Sequence, residues 1–141
     1  MIDVESLVVT TIKTALTSKY SGIKITSEYV EVPSSFPCVC VQESDNYVYD
    51  KSKDSQGAEY HSHLMYSVDV YSNKQVERKS EARAIMKVVD TAFKSIGFTR
   101  IMSNPIPNKD ASIYRISARY EGIVAEGLEQ QDKTIYQVYS K

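Results

Sequence analysis

The chain of 141 residues has no tryptophan, three phenylalanines and two cysteines. Cys38 and Cys40 are two apart, too close on one strand to bridge comfortably, so they predict reduced thiols and a reducing compartment. No apolar run approaches the ~20 residues that a membrane helix needs. The start, Met1-Ile2-Asp3-Val4-Glu5, is acidic and unlike a secretory signal, so the expected setting is a cytoplasm. A charge excess is also missing. Seventeen Lys and Arg nearly cancel eighteen Asp and Glu, leaving a net charge of -1. That argues against a dedicated nucleic-acid binder, although it leaves room for a local basic patch. There is no internal repeat and no low-complexity stretch.

Hydrophobic residues at 42% and charged residues at 25% are ordinary for a globular protein. The length predicts one domain over residues 1–141. A chain of this size buries roughly 70% of its unfolded surface and needs no metal or disulfide to fold. The eleven tyrosines are the unusual feature. Tyrosine suits half-wet surfaces and interfaces, and equally suits strands, so composition leaves both readings open.

Apolar spacing organises the chain. Val4, Leu7, Val8, Ile12, Ala15 and Leu16 draw one stripe on a helix over residues 3–19, stopped by Tyr20-Ser21-Gly22. Residues 23–31 alternate as a strand. Pro33 to Pro37 form a turn, because proline fixes φ and removes a donor. Residues 38–43 predict a short strand. Residues 44–60 begin and end in polar turn formers and predict a long projecting loop or hairpin, with Tyr47-Val48-Tyr49 as a brief strand inside it.

Residues 61–72 are the clearest strand, with Leu64, Tyr66, Val68 and Val70 on one face and His63, Met65, Ser67, Asp69 and Tyr71 on the other. Residues 75–96 are the clearest helix. Val76, Ile85, Val88, Val89, Ala92, Phe93 and Ile96 line its apolar side, and Gly97 caps it. Phe98 to Met102 predict a strand, residues 103–108 a proline-punctuated loop, and residues 112–125 a long strand. Residues 126–133 are polar, and Thr134 to Tyr139 predict a last strand within a C-terminal arm over 128–141. Strands in runs, with two amphipathic helices, give an α+β domain: a mainly antiparallel sheet of about five strands with helices on one face.

The sequence offers little for catalysis. Cys38, Cys40, His61 and His63 would supply two thiolates and two imidazoles for zinc, but Cys-x-Cys and His-x-His are shorter than structural zinc spacings. If the cysteines belong to the core they face Leu64 while the histidines point away, so no metal site is expected. A Cys38–His61 dyad has no motif around it. There is no Gly-rich phosphate loop, no nucleophile elbow and no His-Glu-x-x-His. Asp45, Asp50 and Asp54 fit no calcium loop. Lys51, Lys53, Arg115 and Arg119 with Tyr47, Tyr49 and Tyr114 could stack and hold a single strand, but interspersed carboxylates weaken that reading. No enzyme and no cofactor are expected. The candidate interface residues are Tyr47, Tyr49, Lys51, Lys53 and Asp54 in the loop, with Met65, Asp69, Tyr71, Arg115 and Arg119 on the strands.

Two stretches carry a resemblance. One runs Glu28-Tyr29-Val30-Glu31-Val32-Pro33-Ser34-Ser35-Phe36-Pro37-Cys38-Val39 and on to Asp45-Asn46-Tyr47. The other runs Gly97-Phe98-Thr99-Arg100 through Asn104-Pro105-Ile106-Pro107 to Tyr114-Arg115 and Arg119-Tyr120. Over residues 1–125 the chain resembles the tail-terminator, or tail-completion, proteins of long-tailed phages and of prophages in Gram-positive bacteria. The resemblance implies a compact α/β domain that forms a hexameric ring. The ring caps the tail tube, ends its polymerisation and presents the head-joining surface. Its expected partners are copies of itself, the major tail tube protein and a head–tail connector. It is expected to bind no membrane and no specific nucleic-acid sequence, though DNA passes through the ring. Its expected place is the virion tail, assembled in the host cytoplasm. A second phage part, such as a connector or minor capsid protein, is the alternative, and a small metal-binding domain or enzyme is the third.

Overall fold

The computed structural model describes residues 3–30, 33–48, 61–107, 111–130 and 133–139, with the side chains of 48, 61, 125–130 and 133–139 left aside. Its elements in order are α1 (Glu5–Thr17), β1 (Lys24–Thr26), β2 (Cys38–Val48), β3 (His61–Ser72), α2 (Arg78–Ser95), β4 (Thr99–Ile106), β5 (Tyr114–Gln130) and β6 (Lys133–Tyr139). This is an α+β fold. The sheet runs β1-β2-β3-β5-β4, and β6 joins β5 beyond the end of β4. Among the described residues β1 alone lies parallel to its neighbour, and the other pairs are antiparallel.

The helices form as their spacing predicts. In α1, Val8, Ile12 and Leu16 recur every four residues and are buried. In α2, Ala82, Ile85, Met86, Val89, Ala92 and Phe93 make the buried stripe. This helix starts later than residue 75, because Glu77 at its N-cap takes a left-handed φ of 64°. Val76 therefore falls before the helix and is exposed rather than part of the stripe. Gly97 does end α2. At φ 87° it occupies the left-handed position that glycine takes without a Cβ penalty. The Gly97 amide donates to the Lys94 carbonyl at 3.0 Å and the Phe98 amide to the Phe93 carbonyl at 2.9 Å. Phe98 then packs edge-on against Phe93, the apolar contact that accompanies this cap.

Both helices cover one face of the sheet. Leu64, Tyr66, Val68 and Val70 of β3, Val39 and Val41 of β2, and Ala118, Tyr120 and Val124 of β5 meet them in the main core. Its centre is aromatic: Phe93 stacks on Tyr120 with centroids 4.1 Å apart, and Tyr66 meets Phe93 and Phe98. The Tyr120 hydroxyl donates to Asp90 Oδ1 at 3.1 Å, which satisfies its polar tip.

Several boundaries differ from the sequence reading. Residues 44–48 belong to β2, paired with β3 as far as Val48↔Ser62, so the described part of the expected loop or hairpin is hairpin strand. Its remainder, residues 49–60, lies outside the described residues. The strand expected over residues 23–31 is only Lys24–Thr26. Asn104, Pro105 and Ile106, expected in a loop, continue β4 with Pro105 opposite Ile116. Proline is tolerated there because β4 is an edge strand that bonds on one side only. Polar residues 126–130 extend β5, since hairpin pairing with β6 satisfies their backbone whatever their side chains.

Candidate interaction surfaces

The sheet face away from the helices divides into three zones along the strands. At one end lies a second, small core of Cys38, Cys40, Tyr71 and Ile113, with Phe36 against it. Residues Glu28 to Val30 lie against it as well. The Tyr71 hydroxyl donates to the Val30 carbonyl at 3.0 Å, and the Cys40 thiol donates to the Glu28 carbonyl at 2.8 Å. Asp69 accepts from Arg115 Nε at 3.1 Å, and the Arg115 guanidinium sits 5.4 Å from the Tyr71 ring centroid. Burial raises the Cys40 thiol to about 11, and the neighbouring Asp69 adds to this. Burial likewise raises Cys38, and burial followed by Asp69 lifts the Tyr71 phenol to about 12. Thiols held protonated in this way are poor nucleophiles and poor metal ligands.

The cysteines lie on the face opposite to the one expected. Cys38 pairs with Tyr71 and Cys40 with Asp69, so Val39 and Val41 turn to the helices instead. The cause is short and local: β2 begins directly after Pro37, and that register sets its parity. A bulge then reverses it. The register shifts between Glu43 and Asp45, leaving Ser44 unpaired in the ladder, and its hydroxyl donates to the Met65 carbonyl at 3.1 Å. Tyr47 consequently shares the open face with His63.

This far end is the second zone. Tyr47, 49% exposed, stacks on the buried His63 ring at 4.7 Å. His63 Nε2 lies 3.0 Å from Glu121 Oε2. Six residues of β3, about 20 Å of strand, separate His63 from the Asp69 opposite Cys40. The thiols and this imidazole therefore share a face without meeting. Among the described residues no group of three or more His, Cys, Asp and Glu side chains gathers as metal ligands.

Between these ends, Met65, Ser67 and Ser117 are half-buried and Arg119 is exposed. Of the ten residues expected at an interface, Tyr47, Met65 and Arg119 lie on the uncovered part of this face. Asp69 and Tyr71 are buried, with the Tyr71 hydroxyl on the Val30 carbonyl, and Arg115 is half-buried beside them. Tyr49, Lys51, Lys53 and Asp54 lie outside the described residues.

The helical side holds features that the sequence reading passed over. A groove of about 400 Å³ between α1 and α2 is lined by Ala15, Lys19, Lys87, Val88 and Ala92 among others. A cleft of about 420 Å³ between α2 and β4 is lined by Arg83, Lys87, Asp90, Arg100 and Ser103 among others. Five cations against two carboxylates in α2 were a visible signal for it. No described helix is long and apolar enough to cross a membrane. No protein-family model matches the chain, and no curated protein matches it in sequence.

Proposed function

We propose that this protein is a non-enzymatic structural subunit of a long-tailed phage, a tail terminator. Copies form a ring, expected to be hexameric, on the end of the tail tube. The ring stops further addition of the major tail tube protein and offers the surface to which the head–tail connector joins. The observation that carries this reading is the placement of the two hairpins. The β2–β3 and β5–β6 hairpins lie at the same end of the sheet, where Val48 pairs with Ser62 and His61 with Ala125. The helices lie on a sheet face of quite different chemistry. A subunit with unlike surfaces suits head-to-tail contacts, which close into rings. The resemblance of residues 28–47 and 97–120 to tail-completion proteins supports the same reading.

Electron microscopy of particles made without this gene tests it. Overlong, headless tail tubes are the expected result. Normal tails beside defective heads would transfer the protein to the connector. Intact infectious particles would remove the structural reading altogether.

A further inference from the structure

Charge is unevenly placed in this nearly neutral chain. Helix α2 carries Arg78, Lys79, Arg83, Lys87 and Lys94 against Glu81 and Asp90. Lys79, Arg83 and Lys87 recur every four residues, so they stand in one row along the helix, and all three are exposed. Each step of four residues rises about 6 Å, which makes the row about 12 Å long. None of the three has a carboxylate partner among the described residues. Glu81 turns elsewhere and accepts from the Ser72 hydroxyl at 2.7 Å.

Arg83 and Lys87 line the cleft between α2 and β4 together with Arg100 and Ser103 of β4. The carboxylate in that lining, Asp90, is already occupied. It accepts from the Tyr120 hydroxyl at 3.1 Å, and lies 3.2 Å from Lys94 Nζ and 3.7 Å from Arg100 Nη1. It thus holds the Arg100 guanidinium at the cleft while half of that side chain stays exposed. The Ser103 hydroxyl is exposed and makes no hydrogen bond among the described residues. The apolar side chains of the lining, Met86 and Ile116, are each only 5% exposed, so the cleft offers no apolar anchor of the kind that dominates protein contacts. None of its lining residues is aromatic, so it has no platform for the unstacked bases of a single strand. What it presents is two guanidinium forks, an ammonium and a hydroxyl, and guanidinium forks match phosphate oxygens in pairs.

We propose that the α2–β4 cleft binds the phosphate backbone of duplex DNA without reading its sequence. Arg83, Lys87 and Arg100 are the phosphate contacts, and Lys79 extends the row. One strand of a duplex carries a charge per about 3.4 Å of axis, so about three or four phosphates lie alongside a row of this length. The chain's near-zero net charge keeps the attraction local to this side and the binding weak, and salt weakens it further. The cleft is complete within one chain, so the proposal goes beyond the ring reading and stands without it.

The test is fluorescence anisotropy of the full chain with a labelled duplex of arbitrary sequence over a salt series, with thermal melts as a folding control. Binding at low salt is expected, with log K falling against log salt at a slope of about −3. Arg83→Gln with Lys87→Gln is expected to weaken it more than about tenfold and to flatten the slope by about 2, with an unchanged melt. Lys13→Gln with Lys24→Gln removes the same two charges from α1 and β1, and is expected to change binding by less than about twofold. A wild-type chain that binds no duplex at low salt would overturn the proposal. Equal losses in the two double variants would overturn it as well, because overall charge and not the cleft would then hold the DNA. Tighter binding of a single strand of the same length would overturn the duplex assignment. Equal binding of polyglutamate, lost in the Arg83→Gln and Lys87→Gln variant, would reassign the cleft to an acidic protein segment and overturn the proposal.

Discussion

Arg115 reaches from β5 to Asp69 on β3, with Nε and Nη2 each 3.1 Å from the same carboxylate oxygen, Oδ1. The pair sits beside Tyr71 and Cys40, which hold the carbonyls of Val30 and Glu28. Burial is the largest influence and works against the Arg115 charge, but Asp69, Tyr71 and Tyr29 together more than offset it. Asp69→Ala leaves a partly buried cation alone and is expected to cost about 1–3 kcal/mol. A double-mutant cycle with Arg115→Ala measures the coupling. Strict additivity of the two single changes would show that the pair holds nothing.

Tyr66 is fully buried, and its hydroxyl lies beside the Glu43 carboxyl without a well-formed hydrogen bond among the described residues. Its ring packs on Phe93 and Phe98. Ring and hydroxyl therefore act in opposite directions. Tyr66→Ala is expected to destabilise the domain by about 3–5 kcal/mol through lost packing. Tyr66→Phe is expected to leave stability unchanged or raise it by about 1 kcal/mol. Denaturant melts of both variants decide this, and a large loss in Tyr66→Phe would reveal a hidden partner for the hydroxyl.

Alkaline pH should loosen the second core. The Cys40 thiol is raised by burial from its ordinary 9 to about 11. A thiol with a raised folded pKa contributes in full below its unfolded value, and that contribution is lost as pH climbs through the folded one. Stability is thus expected to fall between pH 9 and about 11, and Cys40→Ala should flatten that fall whatever it costs at neutral pH. An identical slope in the variant would mean that other groups carry the alkaline loss.

Glu77 holds a left-handed φ of 64° without a side-chain hydrogen bond to cap the helix it opens. The conformation suits glycine and costs other residues roughly 1–2 kcal/mol. Glu77→Gly is expected to stabilise the protein by about 1 kcal/mol, read as a raised melting temperature. A lowered one would show that the Glu77 side chain contributes more than its backbone loses.

The hairpin end separates folding from assembly. Asn46, Tyr47 and Val48 pair with Leu64, His63 and Ser62. Deleting residues 46–48 is therefore expected to lower the melting temperature. Deleting 50–59 and rejoining through two glycines is expected to keep it and abolish tail completion. Tails completed normally by the second variant would take residues 50–59 out of the assembly.

Much of the fold was legible because it rests on local pattern. Leu64, Tyr66, Val68 and Val70 alternate, and a strand has a period of two, so their common face follows from spacing alone. The stripe of α2 and its glycine stop are equally local. The interaction surfaces were less legible. Met65 and Arg119 each sit at a fixed parity on a strand, whereas Tyr47, expected in the loop, reaches their face only through the pairing of β2 with β3 beyond the bulge. Nothing local could reveal that Asp69 and Tyr71 on that face are buried where Glu28 to Val30 meet the sheet. That depends on a hydrogen bond from Tyr71 to Val30, forty-one residues away.

What the sequence determined by itself is therefore the elements, the apolar face of each and the near balance of charge. The tertiary structure decided register and partners. Ser44 stands as one extra residue in β2 and reverses the parity of everything after it, which is why Tyr47 meets His63 on the face that the cysteines share. Asp69 finds Arg115 across forty-six residues and His63 finds Glu121 across fifty-eight. The same fold sets Arg83 and Lys87 of α2 beside Arg100 of β4. Periodicity is a property of neighbours along the chain, whereas charge pairing and coverage are properties of neighbours in space, and only the folded sheet brings the two together.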